Sequence, residues 1–480
     1  MKKYFILNLC LYLIGLSLFK AQTINYYFGN LHAHTAFSDG NKDSVASAMW
    51  SPNGSYTYAK LSQHFDFLGI SEHNHYSASK NPGFRKQNYQ VGLNMAATAN
   101  QTGTFVAMFG MEWGVSSTYN GHVVIYGFNQ LIGWESGVSG VSGNNYDIYN
   151  AKTDYDGLFM KVKNNPNSFA YLAHPYYTDY TTNGNASTSL AYGSYKAAYD
   201  SAIVGMPLRS GLAFSTAENY SDFSQGNYFD YYKKLLNQGY HLGIGYDHDN
   251  HYSNFGRSNA GRLVIMTSSL SPNTIMNAMQ QMHFYGSDDW NAKVDFNLNG
   301  SRMGSIIAGG TYPIINIVHN DDDGELADSI KIWKGYKNSG GLWANVVHLS
   351  LKNNTTSFTD YDLQTGIEYY YFAEIKQADG DWIVTSPIWY NAQAPLKAVE
   401  ELKNFDFRFF PNPVSKNLSI SFSNIGKHAV SIIDLTGRRV LEKNVEQSDC
   451  NLYLGELEPG IYSLEVKSQN SIMTKKLVID

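Results

Sequence analysis

Along the first 290 or so residues, short apolar runs alternate with stretches of helical periodicity. Residues 25–31, 65–70, 105–111, 121–126, 169–173, 211–216 and 241–246 read as strands. Between them, residues 44–62, 89–100, 155–164 and 228–237 space their apolar positions for helices. Strands alternating with helices predict an α/β unit with a parallel sheet or barrel. From about residue 288 the period changes to two, as in Val294, Phe296 and Leu298, with Asn-Gly and Asp-Gly turns. Residues 288–392 therefore read as an immunoglobulin-like β-sandwich, and 393–404 as a linker. In the last segment, 405–480, Leu418, Ile420 and Phe422 alternate with serines, and further short strands follow between turn residues. This predicts a small C-terminal β-sandwich.

The opening segment, 1–22, has Lys2 and Lys3, an apolar run over 4–19 and a cleavage region at Ala21-Gln22. It reads as a secretory signal peptide, with a single membrane anchor as the competing reading. No later segment approaches eighteen uninterrupted apolar residues, so no transmembrane segment is expected in the mature chain. At roughly 150 residues per domain, 480 residues accommodate about three domains. The net charge is −6 with no basic block, which disfavours strong nucleic-acid binding. The recurring Tyr, Phe, Ile and Leu exclude intrinsic disorder. Cys10 and Cys450 are the two cysteines, and loss of the leader leaves one thiol. Cysteine metal sites and an internal disulfide are thereby disfavoured.

Histidine carries the chemistry. Ten of the 14 histidines lie between His32 and His251, and several close an apolar run. His32 and His34 follow the first strand and, in extended backbone, point to the same side. Asp39 comes next, with Gly40 permitting a bend. The second run ends in Glu72, His73, Asn74 and His75, and the third in Glu112. His122 starts the fourth, His174 ends the fifth, and the sixth leads to Glu218. The seventh ends in Asp247, His248, Asp249 and His251. Ligands gathered at strand C-termini are where barrel active sites are built. Imidazoles with carboxylates and no thiolate suit zinc, manganese or iron. Glu112 has the chemistry to bridge two such ions.

The ordered motifs around His32, His34 and Asp39, around His73, at Glu112 and His122, at His174 and Pro175, and at Asp249 and His251 resemble those of the PHP family. That family takes its name from its polymerase and histidinol-phosphatase members, and the chain is more similar to its secreted bacterial metallohydrolases. The resemblance spans about residues 24–290. It implies a distorted (β/α)7 barrel over 23–287 holding two or three divalent metal ions. The ligands it implies are His32, His34, Asp39, His73, Glu112, His122, His174, Asp249 and His251. Glu72 stands where the family usually has Asp, and reads as a group orienting a ligand. Asp247 and His248 compete with Asp249 and His251 for the last motif, and the spacing of the latter pair matches better.

The expected reaction is hydrolysis by metal-activated water. His75 and His248 are candidate general acids. Arg257 and Arg262 are candidate forks for a phosphoryl group, with a structural ion pair as the other reading of Arg262. A phosphoesterase acting on mono- or diesters is the leading expectation. A carboxyl-ester or carbamate hydrolase on the same metals is the rival, and a non-catalytic surface binding protein the third. A basic surround favours phosphate, and an apolar pocket favours the rival. The Tyr- and Asn-rich stretches 133–155 and 176–199 are long enough to shape a cleft for a small-molecule or ester substrate. The run Asp321, Asp322, Asp323, Gly324 and Glu325 lacks a complete EF-hand loop and reads as a solvated acidic turn.

The C-terminal segment opens on Pro411, Asn412 and Pro413, carries Asp434 and Gly437-Arg438 in a turn, then Gly460-Ile461-Tyr462, and closes on Lys475-Lys476. In this combination it resembles the type A C-terminal sorting domain of type IX secretion substrates in Bacteroidetes. The resemblance implies engagement of the type IX secretion machinery and delivery to the cell surface or medium.

Overall fold

The computed structural model describes residues 24–40, 51–61, 64–74, 84–114, 119–134, 145–339, 343–397, 407–423, 426–435, 438–468 and 471–480. The expected signal peptide, residues 44–50 of the first expected helix, His75 and residues 398–404 of the expected linker lie outside that set. The chain divides into two compact units, 1–396 and 397–480.

The first unit opens with β1 (Asn25–Asn30), α1 (Pro52–Ala59), β2 (Phe67–His73), α2 (Lys86–Ala99), β3 (Val106–Trp113) and β4 (His122–Tyr126). The two-residue strands β5 (Ile132–Gly133) and β6 (Ile148–Tyr149) precede α3 (Tyr155–Lys163), β7 (Phe169–Ala173), α4 (Ala197–Asp200) and β8 (Ile203–Ser210). Then follow α5 (Phe229–Gln238), β9 (Gly243–Asp247), β10 (Arg262–Thr267), α6 (Pro272–Gln280) and β11 (Phe284–Ser287). The helix ends follow local chemistry. Asp154 caps α3 by accepting from Gly157 N, Gly239 ends α5 in left-handed backbone, and Ser271 with Thr274 forms a capping box on α6. Along α2, Tyr89, Gly92, Ala96 and Ala99 face inward, and a Cβ on Gly92 would lie 2.2 Å from the Phe109 ring.

β1, β2 and β3 are parallel, as are β7, β8 and β9. β4 lies between the two sets and runs antiparallel to both β3 and β7. The reason is local, because residues 114–121 join β3 to β4 too briefly for the crossover a parallel pair needs. On the other side of β1, β10 and β11 are also antiparallel. The expected (β/α)7 barrel is therefore not formed. Six α-helices stand against 28 strands, β9 and β14 end an open strand path, and β9 forms no ladder with β10 or β11 among the described residues. The expected strand at 211–216 is a loop, and β8 lies just before it.

The region expected as an immunoglobulin-like sandwich, 288–392, consists of two sheets, one of which is shared with the preceding strands. β12 (Lys293–Leu298), β13 (Ser301–Arg302), β15 (Ile314–Asn320) and β18 (Thr355–Thr359) form a four-stranded sheet. The strands opposite, β14 (Ile306–Thr311), β16 (Ala327–Tyr336), β17 (Asn345–Leu351), β19 (Glu368–Gln377), β20 (Trp382–Thr385) and β21 (Ile388–Lys397), continue the first sheet. The junction is β11 against β20, Tyr285 opposite Thr385. One apolar core runs across it, joining Phe28, Val264 and Tyr285 to Phe296, Ile317, Tyr371 and Ile375. β21 also takes in residues 393–397 of the expected linker.

In the second unit, β22 (Phe407–Phe410), β23 (Asn417–Phe422) and β26 (Asp449–Tyr453) form one sheet. β24 (His428–Ile433), β25 (Arg439–Val445), β27 (Gly460–Ser468) and β28 (Ser471–Ile479) form another. Period-two burial supplies its core from Leu418, Ile420, Val430, Ile432, Leu464 and Val466.

Candidate metal centre

One end of the first sheet collects the histidines. Beyond β1, Ala33 pairs with Asn250, and His34 N donates to Asn250 O at 2.9 Å. The Asn30 amide stitches the same two loops, accepting from His32 N at 3.1 Å and His248 N at 3.2 Å. A Cβ on Gly40 would lie 2.2 Å from the His34 carbonyl carbon, so the turn that returns Asp39 needs glycine. His73 ends β2 opposite Glu112 of β3. Because β4 is antiparallel, its first residue, His122, arrives at the same end and pairs with Ala173, the neighbour of His174. Asp249 and His251 follow β9. Two of these residues hold left-handed backbone, His174 at φ 29° and Asp249 at φ 54°.

Glu112 is the centre of the cluster. Its Oε1 lies 3.2 Å from His32 Nε2, 2.7 Å from His122 Nδ1 and 3.3 Å from His174 Nε2. Its Oε2 lies 3.2 Å from His34 Nε2 and 2.9 Å from His73 Nδ1. Asp249 Oδ1 contacts His34 Nε2 at 2.9 Å and His32 Nε2 at 3.2 Å. Asp39 Oδ1 lies 3.3 Å from His251 Nε2 and 3.5 Å from His73 Nε2. All nine residues expected as ligands thus meet in one place. Three overlapping sets have the spacing to hold a cation: His34, Asp39, His73 and His251; His32, His34, Glu112 and Asp249; and His73, Glu112 and His122.

The donor set fits divalent metal ions. The two imidazole nitrogens His32 Nε2 and His34 Nε2 face each other at 3.3 Å. Among the described residues, His122 Nε2 is buried without a hydrogen-bond partner, a costly state for a polar atom unless something else satisfies it. Glu112 turns its two oxygens to different groups of imidazoles, as a bridging carboxylate would.

The electrostatics are those of a concentrated ion cluster. Burial works to raise the Glu112 carboxyl, but the imidazoles of His122, His32 and His73 hold it well below the usual range. Burial opposes ionisation of Asp39 and Asp249 too, yet neighbouring imidazoles hold both low. Burial works against charge on His174, and the Glu112 and Asp249 carboxylates lift it to about 9.

Other buried groups orient the ligands. Asp247 takes His32 Nδ1 at 2.8 Å, which leaves Nε2 facing the cluster. Asp247 thus stands behind His32, while Asp249 and His251 join the cluster. Glu72 accepts from Thr35 and Ser38 and lies 4.0 Å from His34 Nδ1. Tyr180 OH donates to His122 O at 3.0 Å, and Tyr155 OH to Gly121 O at 2.7 Å. A Cβ on Gly121 would meet the Tyr180 ring at 2.3 Å. These tyrosines, from α3 and the aromatic stretch 176–199, were not foreseen as supports, because a buried hydroxyl leaves no periodic signal.

Three expected catalytic groups are elsewhere or otherwise engaged. His248 Nε2 donates to Gly261 O at 2.7 Å, and burial beside Arg262 pushes its imidazole down to about 3, which leaves it unfit as a general acid. Arg262 is fully buried and donates to four backbone carbonyls, those of His64, Asn259, Gly261 and Gly256, at 2.7–2.8 Å. It is a brace for the loop, neither a phosphate fork nor half of an ion pair. Arg257 lies over the Tyr58 ring at 5.8 Å. Glu218 is exposed on the loop after β8. The acidic turn is only partly solvated, since Asp321 is buried and joins Asp289 and Glu325 around Gln377 Nε2 at 3.1–3.2 Å.

Beside the cluster lies a cavity of about 390 Å³, lined by His174 and Asp249, by Ser210, Gly211, Leu212, Ala213, Phe214 and Ser215, and by Gln225. Its walls are largely apolar, and its lining includes no Lys or Arg.

Residues 408–480 match the model of the secretion system C-terminal sorting domain. No curated protein matches the chain. Among solved structures, the human OSCAR ligand-binding domain is 14% identical, covers 39% of this chain and 99% of its own, and has a TM-score of 0.15. A biofilm-associated protein BSP domain is 10% identical over 40% of this chain and 30% of its own, with a TM-score of 0.14. PorZ, a surface component of the type IX secretion system of Porphyromonas gingivalis, is 12% identical over 35% of each chain, with a TM-score of 0.15. Likenesses at these scores carry no weight for fold or function. No helix among the described residues is long and apolar enough to cross a membrane. The C-terminal unit is thus a secretion sorting domain, and the protein is exported by type IX secretion to the cell surface or the space beyond it.

Proposed function

We propose that the first unit is a metal-dependent hydrolase of the PHP type, acting on phosphoesters. The observation that carries this reading is Glu112, buried and flanked on its two oxygens by five imidazoles. His32, His34, His73, His122, His174 and His251, with Asp39, Glu112 and Asp249, would hold two or three ions. Zinc, manganese or iron suits this mixture of imidazole and carboxylate. Such ions supply activated water and stabilise negative charge on the reacting oxygens. Two ions carry +4 and three carry +6, against −3 from Asp39, Glu112 and Asp249. The centre is thus left cationic either way and attractive to a phosphate ester without help from arginine.

The protein's own residues set the geometry. Asp247 fixes the tautomer of His32, Asn30 ties the two ligand loops together, and Tyr180 and Tyr155 hold the start of β4. His174 borders both the cluster and the cavity and is about a third exposed, so a substrate arriving there meets the ligands directly.

A carboxyl-ester or carbamate hydrolase is the second reading, and the absence of Lys and Arg from the described cavity lining favours it. The test pairs metal analysis of the exported protein with turnover of para-nitrophenyl phosphate, bis(para-nitrophenyl) phosphate and para-nitrophenyl acetate, using His34→Ala as control. Two or three metals per chain and phosphate-ester turnover lost in the variant are expected. Turnover of acetate alone would shift the assignment to the second reading. A protein that binds no divalent ion would overturn both and leave a non-catalytic binding protein.

A further inference from the structure

We infer that the cavity beside the metal centre receives an uncharged aromatic group of the substrate, and that Phe214 selects it. The inference rests on the metal-hydrolase reading only for the reacting group that the metals take, since the cavity itself is built by the protein. Phe214 is 62% exposed and stands on the cavity wall. Its ring stands 4.5 Å from that of the expected ligand His251, inclined by 36°. A substrate atom reaching the centre through the cavity passes Phe214.

The wall is anchored to the metal-binding loop. His251 N donates to Ala213 O at 2.9 Å, and Gly211 N to Asp247 O at 2.8 Å. The Asn254 amide donates to Ser215 O at 2.9 Å and Ala217 O at 3.0 Å. At the base of the loop, Ser210 and Gln225 exchange backbone hydrogen bonds at 2.6 and 2.8 Å. Four hydrogen bonds to the segment 247–254, which carries two expected ligands, therefore hold the apolar wall in register with the cluster. Its volume of about 390 Å³ falls within the roughly 300–1,000 Å³ of small-molecule sites. Leu212, Ala213 and Phe214 supply the apolar surface, while Ser210, Ser215 and Gln225 supply hydrogen bonds without charge. Away from the expected ligands His174 and Asp249, the described lining carries no charge to offset the desolvation of a charged substrate tail. An aromatic ring would exchange water for contact with Phe214.

The test is binding to the metal-loaded full chain by calorimetry, using phenylphosphonate against methylphosphonate and benzoate against acetate. Within at least one pair, the aromatic member is expected to bind about tenfold more tightly, the worth of burying part of one ring. Phe214→Ala should reduce that ratio to about twofold, and Ala213→Trp, which fills the cavity from the other side, should do the same. Equal affinities within each pair in the wild type would overturn the inference, as would a ratio untouched by both variants. Binding of benzoate but not of either phosphonate, with metals present, would remove the phosphoester reading and keep the aromatic pocket. Failure of all four probes to bind the metal-loaded protein would overturn both.

Discussion

The first unit buries two nests of carboxylates, and they behave differently: all three acids of the first are held low, whereas in the second Asp289 is raised while Asp321 is lowered. Around Glu112, six imidazoles surround three carboxylates, and the acids are held below their usual range. Around Gln377, Asp289, Asp321 and Glu325 meet with one neutral amide between them. Burial, with Asp321 alongside, lifts Asp289 to about 7. Burial is common to both nests, so the sign of the shift comes from the company the carboxylates keep. Imidazole-rich company keeps the carboxylates ionised, as the proposed metal site would require, whereas the nest around Gln377 holds Asp289 towards its protonated form. An acidic cluster alone is therefore a poor guide to a metal site, and the mixed cluster a good one.

The comparison breaks most directly at its first centre. Glu112→Gln removes the charge that faces five imidazoles, and we expect the metal content to fall below one ion per chain. Hydrolysis should drop by about 10³-fold or more, read by metal analysis and turnover together. Stripping the wild-type protein with a chelator comes next. Ions bound about 1,000-fold above their Kd contribute about 4 kcal/mol, so the midpoint of thermal unfolding should fall by several degrees and return on adding zinc or manganese. An unchanged midpoint would mean that the nine residues hold nothing.

The second nest gives smaller effects. Gln377→Ala takes the shared donor from three acids and should cost about 2 kcal/mol, more at pH 8 than at pH 5, by denaturant unfolding. Asp289→Asn should do the reverse. A carboxyl raised in the folded state binds more protons folded than unfolded, so it withdraws stability as pH rises from about 4 towards 7. Asp321, held low beside it, changes its contribution only below about pH 4 and does not offset this loss. The variant should therefore gain on the order of 1 kcal/mol at pH 8 and little at pH 5. A gain equal at both pH values would show that Asp289 is not the group that titrates.

The residues expected as ligands were legible because most sit beside the end of an apolar run, and the structure draws them to one end of a sheet. Strand direction was not legible. The hydropathy of residues 122–126 is the same whichever way β4 runs, and only the short connection at 114–121 reverses it. β8 was missed for another reason. Gly205 and Pro207 interrupt it, Pro207 lies at an irregularity in the pairing with β9, and such residues usually argue against an interior strand. Arg262 misled because sequence shows a charge but not the four carbonyls around it. The junction of β11 with β20 joins residues about a hundred positions apart, beyond the reach of any local pattern.

The left-handed backbone at His174 and Asp249 has a consequence for anyone who would improve this protein. Each residue keeps a conformation that costs most side chains on the order of 1 kcal/mol and costs glycine almost nothing. A library screened only for resistance to heat or denaturant in metal-free buffer would reward glycine at both positions. The survivors would be sturdier and would have lost the chemistry. On the proposed reading, selection for this protein would have to be run in the presence of divalent metal ions, or it would breed the site away.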